Sequence, residues 1–207
     1  MGSVTSRKID QVVFAAEGLL REHGMRRRER TFARAAGDLH HVLWFQANKW
    51  NTPEQASFTI NLHVVLPAFH EALLGAPFPK RIAHAAPVIR DRVQLSGDQG
   101  EWWALGPETP TEELSTPVLH AIRTAALPFF DGYPSSQVLL ERILRGDTPP
   151  GARVYHPRCA ALLLRDAGRS DEARAVLRGM ITGDAVPGFA DSIREFAERL
   201  GLSLDDE

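Results

Sequence analysis

The sequence predicts an α+β fold: an antiparallel sheet of about five strands packed against helices, with a C-terminal helical extension. Three observations predict it. Apolar residues near the N-terminus recur at helical spacing, residues 58–64 alternate apolar and polar without a fault, and everything after Gly151 reads as helix. At 207 residues, 43% hydrophobic and 24% charged, the chain is too apolar for intrinsic disorder and long enough for one or two small domains.

Each element follows from local pattern. Ile9, Val12, Val13, Ala16, Leu19 and Leu20 form one buried helix stripe, and Gly24 supplies a left-handed stop. Residues 31–34 and 39–46 change to strand period and join through Ala35-Ala36-Gly37-Asp38 as a hairpin. After a polar break, residues 58–64 place Phe58, Ile60, Leu62 and Val64 on one face. Thr59, Asn61 and His63 then point to the other, which is solvated or a binding surface. Pro67 ends this strand, and residues 68–74 make a short helix before Gly75-Ala76-Pro77-Phe78-Pro79. Residues 88–95 and 101–105 read as two strands around a Gly-bearing turn, the pattern of a hairpin. Trp102 and Trp103 fall on opposite faces of the last strand, so one indole is expected in the core and the other beside the polar face.

A helix opens at Thr111, with Glu112 and Glu113 in its first turn, and runs to Ala126, where Pro128 closes it. A short helix follows from Ser135 or Ser136 to Leu144. The break at Gly146-Asp147-Thr148-Pro149-Pro150-Gly151 then divides a domain at 1–147 from a helical extension at 152–207 packing on it. The extension holds helices near 158–165, 171–180 (capped by Ser170) and 190–200. The pair around Gly168 resembles one tetratricopeptide-type hairpin, but no second copy exists at a period of about 34 residues, so no solenoid is expected.

Charge and motif content narrow the function. Twenty-four Lys plus Arg against 26 Asp plus Glu give a net charge of −2, with no global basic field for nucleic acid or anionic membrane. One cysteine, Cys159, excludes a disulfide framework and a multi-thiolate zinc site. With no signal-peptide pattern and no apolar run of membrane-spanning length, a cytoplasmic setting is expected. No G-x-S-x-G, Walker A, H-E-x-x-H or paired-cysteine motif is present, and no cofactor is expected. The run Met25-Arg26-Arg27-Arg28-Glu29-Arg30, with Arg34, reads as a solvated strand entry or a partner-facing patch rather than a phosphate site. His40 and His41 face opposite ways, so at most one could meet His63, and no acidic residue at diagnostic spacing completes a metal site. The segment Phe45-Gln46-Ala47-Asn48-Lys49-Trp50-Asn51 is either a recognition loop or a turn whose amides bond their own backbone.

The order Gly24-Met25-Arg26-Arg27-Arg28 to Thr31-Phe32-Ala33-Arg34, Val42-Leu43-Trp44-Phe45-Gln46 to Lys49-Trp50-Asn51, then Phe58-Thr59-Ile60-Asn61-Leu62 resembles the DUF4304 family. Arg90-Asp91-Arg92-Val93 followed by Glu101-Trp102-Trp103-Ala104-Leu105 is similar to its pattern too, so the resemblance covers about residues 9–130. It implies an α+β domain in a bacterial cytoplasm and supplies no catalytic residues. The leading expectation is a noncatalytic protein-binding module, with a toxin-neutralising immunity protein as one form. Its candidate contacts are Gln46, Lys49, Trp50, Asn61, His63, Arg90, Arg92 and Trp103. The alternative is a hydrolase or a phosphate- or nucleic-acid-handling enzyme using Arg90 and Arg92 with His41 or His63 in a cleft on the sheet face.

Overall fold

The computed structural model describes residues 4–93, 101–106, 108–147, 157–181 and 188–204. Helix α1 (Val4–Glu22) buries Ile9, Val12, Val13, Ala16 and Leu20, the stripe that the spacing demands. Gly24 follows at φ +76°, a conformation that costs glycine little.

An antiparallel meander comes next: β1 (Arg26–Arg28), β2 (Thr31–Ala36), β3 (Leu39–Ala47) and β4 (Ala56–Val65). The expected β2–β3 hairpin is present, with Gly37 at φ +61° in its turn. The arginine run, read from sequence as a strand entry, is itself the edge strand β1. Its charges face partners: Arg27 pairs with Glu17 at 2.7 Å, Arg30 with Asp10 at 2.7 Å and Arg34 with Asp131 at 2.9 Å.

Strands β5 (Ile89–Arg92) and β6 (Trp103–Leu105) are both present, but they do not form a hairpin with each other. Both run antiparallel to β4, β5 against residues 61–64 and β6 against residues 56–58. The ten residues of β4 are long enough to hold both, end to end, on one edge. The Val93 amide extends β5 by donating to the Ile60 carbonyl at 3.0 Å, and β6 pairs with the same edge from Trp103. The expected turn at 96–100 lies outside the described residues.

Helix α2 (Pro67–Leu74) starts at the proline that ends β4 and closes on Gly75 at φ +62°. Helix α3 (Thr111–Ala121) does not stop before Pro128. A π-helical turn (Ile122–Ala126) leads directly into α4 (Leu127–Asp131). The wider turn resets the hydrogen-bond register, so Pro128 falls in a first helical turn, where its missing N–H leaves no bond unmade. Helix α5 (Ser136–Leu144) is capped by Ser135, whose hydroxyl accepts from the Val138 amide at 3.4 Å.

Helices α1, α3 and α4 cover one sheet face. There Phe32, Leu43, Phe45, Phe58, Ile60, Leu62 and Trp103 pack with the α1 stripe, Leu114, Val118 and Phe130. Helices α6 (Pro157–Asp166), α7 (Ser170–Ile181) and α8 (Phe189–Arg199) share a second core with Leu39, Val64, Leu66 and Phe69. The second sheet face is covered in part: Phe78, Ile82 and Ala85 lie over Ala33, Val42 and Val65. What remains open on that face is the stretch of β3, β4 and β5 carrying the polar residues. Among the described residues no helix is long and apolar enough to cross a membrane.

Candidate functional site

Strand register assembles the site. On the partly open face, Trp44 of β3 lies opposite Asn61 of β4, and Asn61 lies opposite Arg92 of β5. One step along, His63 lies opposite Arg90. Because alternate residues share a face, Trp44 and Gln46 join Asn61, His63, Arg90 and Arg92 on one surface. Together with Asp91 and Glu101 they line a cleft of about 230 Å³.

A chain of side-chain hydrogen bonds fixes half of the cleft. Asn61 Nδ2 donates to Gln46 Oε1 at 3.1 Å, and Arg92 Nε donates to Asn61 Oδ1 at 3.1 Å. Arg92 Nη1 donates to Glu101 Oε2 at 2.5 Å, and the Arg92 guanidinium lies 5.8 Å from the Trp102 ring. Asn61 is 5% exposed with both ends of its amide engaged, the usual condition for burying such a group.

The other half carries unused capacity. Arg90 is exposed and makes no hydrogen bond or ion pair among the described residues. His63 sits edge-on to Trp44, their ring centroids 6.3 Å apart. Burial, with the Arg90 charge behind it, lowers the His63 pKa to about 4, so at neutral pH the ring is a neutral donor and acceptor. Trp44 Nε1 is buried without a hydrogen-bond partner among the described residues, and so is Thr59 Oγ1 one strand over. The Asp91 carboxyl is raised above its ordinary value, chiefly by burial and further by Glu101. Its oxygen accepts from the Arg92 amide at 2.7 Å.

Five of the eight predicted contact residues therefore meet: Gln46, Asn61, His63, Arg90 and Arg92. Lys49 and Trp50 lie beyond them in the β3–β4 loop. There Trp50 is 76% exposed, with the Lys49 ammonium 4.8 Å from its ring centre. The loop amides do bond their own backbone: Asn51 Nδ2 donates to the Ser57 carbonyl at 2.9 Å, and Asn51 Oδ1 accepts from the Ser57 amide at 2.8 Å. Asn48 Oδ1 accepts from the Trp50 amide at 3.1 Å. The turn reading is therefore the one the geometry shows: the asparagines brace the loop, and Trp50 stands exposed on it.

Trp103 stands elsewhere. It is 6% exposed on the helix-covered face, stacked on Phe58 at 6.1 Å, because its position in β6 points it inward. The indole beside the cleft is Trp102, half-buried. His41 also belongs to the covered face. Its Nδ1 accepts from Arg34 Nε at 3.1 Å, its Nε2 donates to the Tyr133 carbonyl at 2.8 Å, and its ring stacks on Phe130, so it cannot serve the cleft. His40 shares the face of His63 but stacks on Phe78 at 5.7 Å. Cys159 is fully buried and its pKa is pushed up by that burial, which disfavours the thiolate. No metal-holding group of His, Cys, Asp and Glu occurs among the described residues.

Sequence reasoning missed Trp44, Asp91 and Glu101. The alternation His40, Val42, Trp44, Gln46 carried the signal for Trp44, which a strict period-two reading of β3 would have placed beside Gln46. Glu101 reaches Arg92 only because β6 rejoins the edge of β4, a tertiary event without local signature.

The site thus belongs to an α+β protein whose meander is covered by helices on one face and partly open on the other. A family model described as a domain of unknown function, DUF4304, matches residues 16–132, and the chain belongs to that family. The matched span contains β1 to β6 and every residue lining the cleft. No curated protein and no solved structure matches the chain.

Proposed function

We propose that this chain is a protein-binding module whose recognition surface runs along the β3–β4 hairpin, from the polar cleft to Trp50. One observation carries the reading: Trp50 is 76% exposed at the tip of a loop held by Asn48 and Asn51. An exposed indole gives nothing to folding, whereas tryptophan is the residue most often found at the energetic centre of protein interfaces. Holding its loop rigid before contact lowers the entropy lost on binding. The cleft supports the reading further, since its described lining holds no hydroxyl, thiol or amine nucleophile and its Arg92–Glu101 pair is already closed. In a bacterial cytoplasm, the setting suggested by the single cysteine and the arginine-rich composition, masking a toxin is one form such binding would take.

Affinity capture from the source organism with the wild-type chain and with Trp50→Ala tests this. A partner retained by the wild type should fall at least about tenfold with the variant, the size of a modest interface hot spot. Stability should shift by less than about 0.5 kcal/mol, as for other exposed sites. Equal retention by both chains, or no partner for the wild type, would overturn the reading.

A further inference from the structure

We propose that the cleft between β3, β4 and β5 is a carboxylate-binding site, and that the carboxylate belongs to an acidic side chain or C-terminus of the protein partner. The source of the carboxylate rests on the protein-binding reading above. The site itself does not.

Four features converge on a monoanion. Arg90 presents a guanidinium without a partner among the described residues, a planar fork that matches carboxylate geometry. Beside it, His63 is held neutral and offers a ring N–H without a second positive charge. Trp44 lines the same cleft and keeps a buried Nε1–H without a partner among the described residues, a condition that native proteins rarely leave unexplained. The volume of about 230 Å³ accommodates a carboxymethyl or carboxyethyl group and a few waters, at about 30 Å³ for each water.

Charge count separates carboxylate from phosphate. Arg92 is spent on Glu101 at 2.5 Å, so the two arginines are not a pair of free cations. The lining holds two arginines and two carboxylates; Glu101 closes on Arg92 and Asp91 Oδ1 accepts from the Arg92 amide, which leaves Arg90, among the described residues, as the guanidinium facing an anion. Both carboxylates repel a phosphate dianion about twice as strongly as a carboxylate, so the single charge is the one favoured. The rows Trp44–Asn61–Arg92 and His63–Arg90 lie on regular strands rather than on a loop, so the donors are fixed before a ligand arrives. Asn61 lies four positions along β4 from Ser57, on which Asn51 braces the loop, a distance of about 13 Å at strand rise. A single extended segment of a partner could therefore reach the cleft and Trp50 together.

The test is titration of the isotope-labelled chain with N-acetylglycine, its neutral analogue N-acetylglycinamide and inorganic phosphate, at matched ionic strength. The readout is the Trp44 indole N–H resonance, identified by its loss in Trp44→Phe. Titration to about 50 mM saturates even a site with a millimolar Kd. N-acetylglycine should shift the resonance saturably and the amide should not. Arg90→Gln should weaken binding at least about tenfold, the loss of a charge-assisted contact, with an unchanged melting curve because the Arg90 side chain holds no partner among the described residues. No saturable shift with N-acetylglycine, an equal response to the amide, or full binding by Arg90→Gln would overturn the site. Tighter binding of phosphate than of N-acetylglycine would overturn the carboxylate assignment. A working site with partner capture indifferent to Trp50→Ala would remove the protein-partner reading and leave the site standing.

Discussion

Truncating Trp103 tests the two-sidedness of the sheet. Trp103 is 6% exposed, stacks on Phe58 at 6.1 Å and 12°, and packs in the cluster that joins β4 to α1 and α3. Removing a core Trp or Phe side chain costs about 3–5 kcal/mol. Two features draw Trp103→Ala to the low end. Strand β6 is a three-residue edge strand that can settle into the void. The buried Nε1 also has no partner among the described residues, so its removal relieves a desolvation penalty of about 1–3 kcal/mol. The expected loss is about 3 kcal/mol. Trp103→Phe keeps an aromatic ring on Phe58 and deletes the unpaired N–H, so it should stay within about 1.5 kcal/mol of wild type. Trp102 is half-buried under a guanidinium 5.8 Å away, and Trp102→Ala should cost no more than about 1 kcal/mol, the worth of an exposed cation–π contact. Urea unfolding followed by circular dichroism gives the comparison. Equal losses at positions 102 and 103, or a larger loss at 102, would refute the assignment of Trp103 to the covered face.

Two further perturbations probe the cleft. Asn61→Leu leaves Arg92 Nε and the Gln46 amide without their partner, and should cost about 1–3 kcal/mol in the urea midpoint, the penalty of unpaired polar groups. His63 should make the fold acid-sensitive: the unfolded chain takes up its proton near 6.5 and the folded chain only near 4, so this contribution to stability is intact above 6.5 and declines as pH falls to about 4. At about 1.4 kcal/mol per pH unit of separation the full loss is about 3 kcal/mol. His63→Gln should flatten the slope of stability between about pH 6.5 and pH 4, and an unchanged slope would contradict the burial of His63.

Much of the architecture was legible because its signals are local. The α1 stripe, the alternation of β4 and the glycine stops at Gly24, Gly37 and Gly75 each determine their element within a few residues. The failures share a different cause. Whether two short strands pair with each other or with a third depends on which edge is free, so residues 88–105 gave two strands but not their common place along β4. Pro128 reads as a helix end because a π turn upstream has no sequence mark. Strand β1 was hidden by its three arginines, which are exposed in the structure as the sequence predicts, so no apolar alternation marks the strand; of the three, Arg27 pairs with Glu17 on α1. Within the site, alternation along β4 and β5 named Asn61, His63, Arg90 and Arg92. That Arg92 is paired while Arg90 has no partner among the described residues required the position of Glu101.

Site-specific photocrosslinking from the hairpin tip tests the central claim most directly. A benzophenone amino acid replaces Trp50, 76% exposed on the proposed surface, and in a separate chain it replaces Phe14, 70% exposed on the outer side of α1. Irradiation in the source organism should give one discrete adduct from position 50, with the same protein recovered each time and lost when Arg90→Gln is added, and no such adduct from position 14. No adduct from position 50, or the same adduct from both positions, would contradict the assignment of this face as the binding surface.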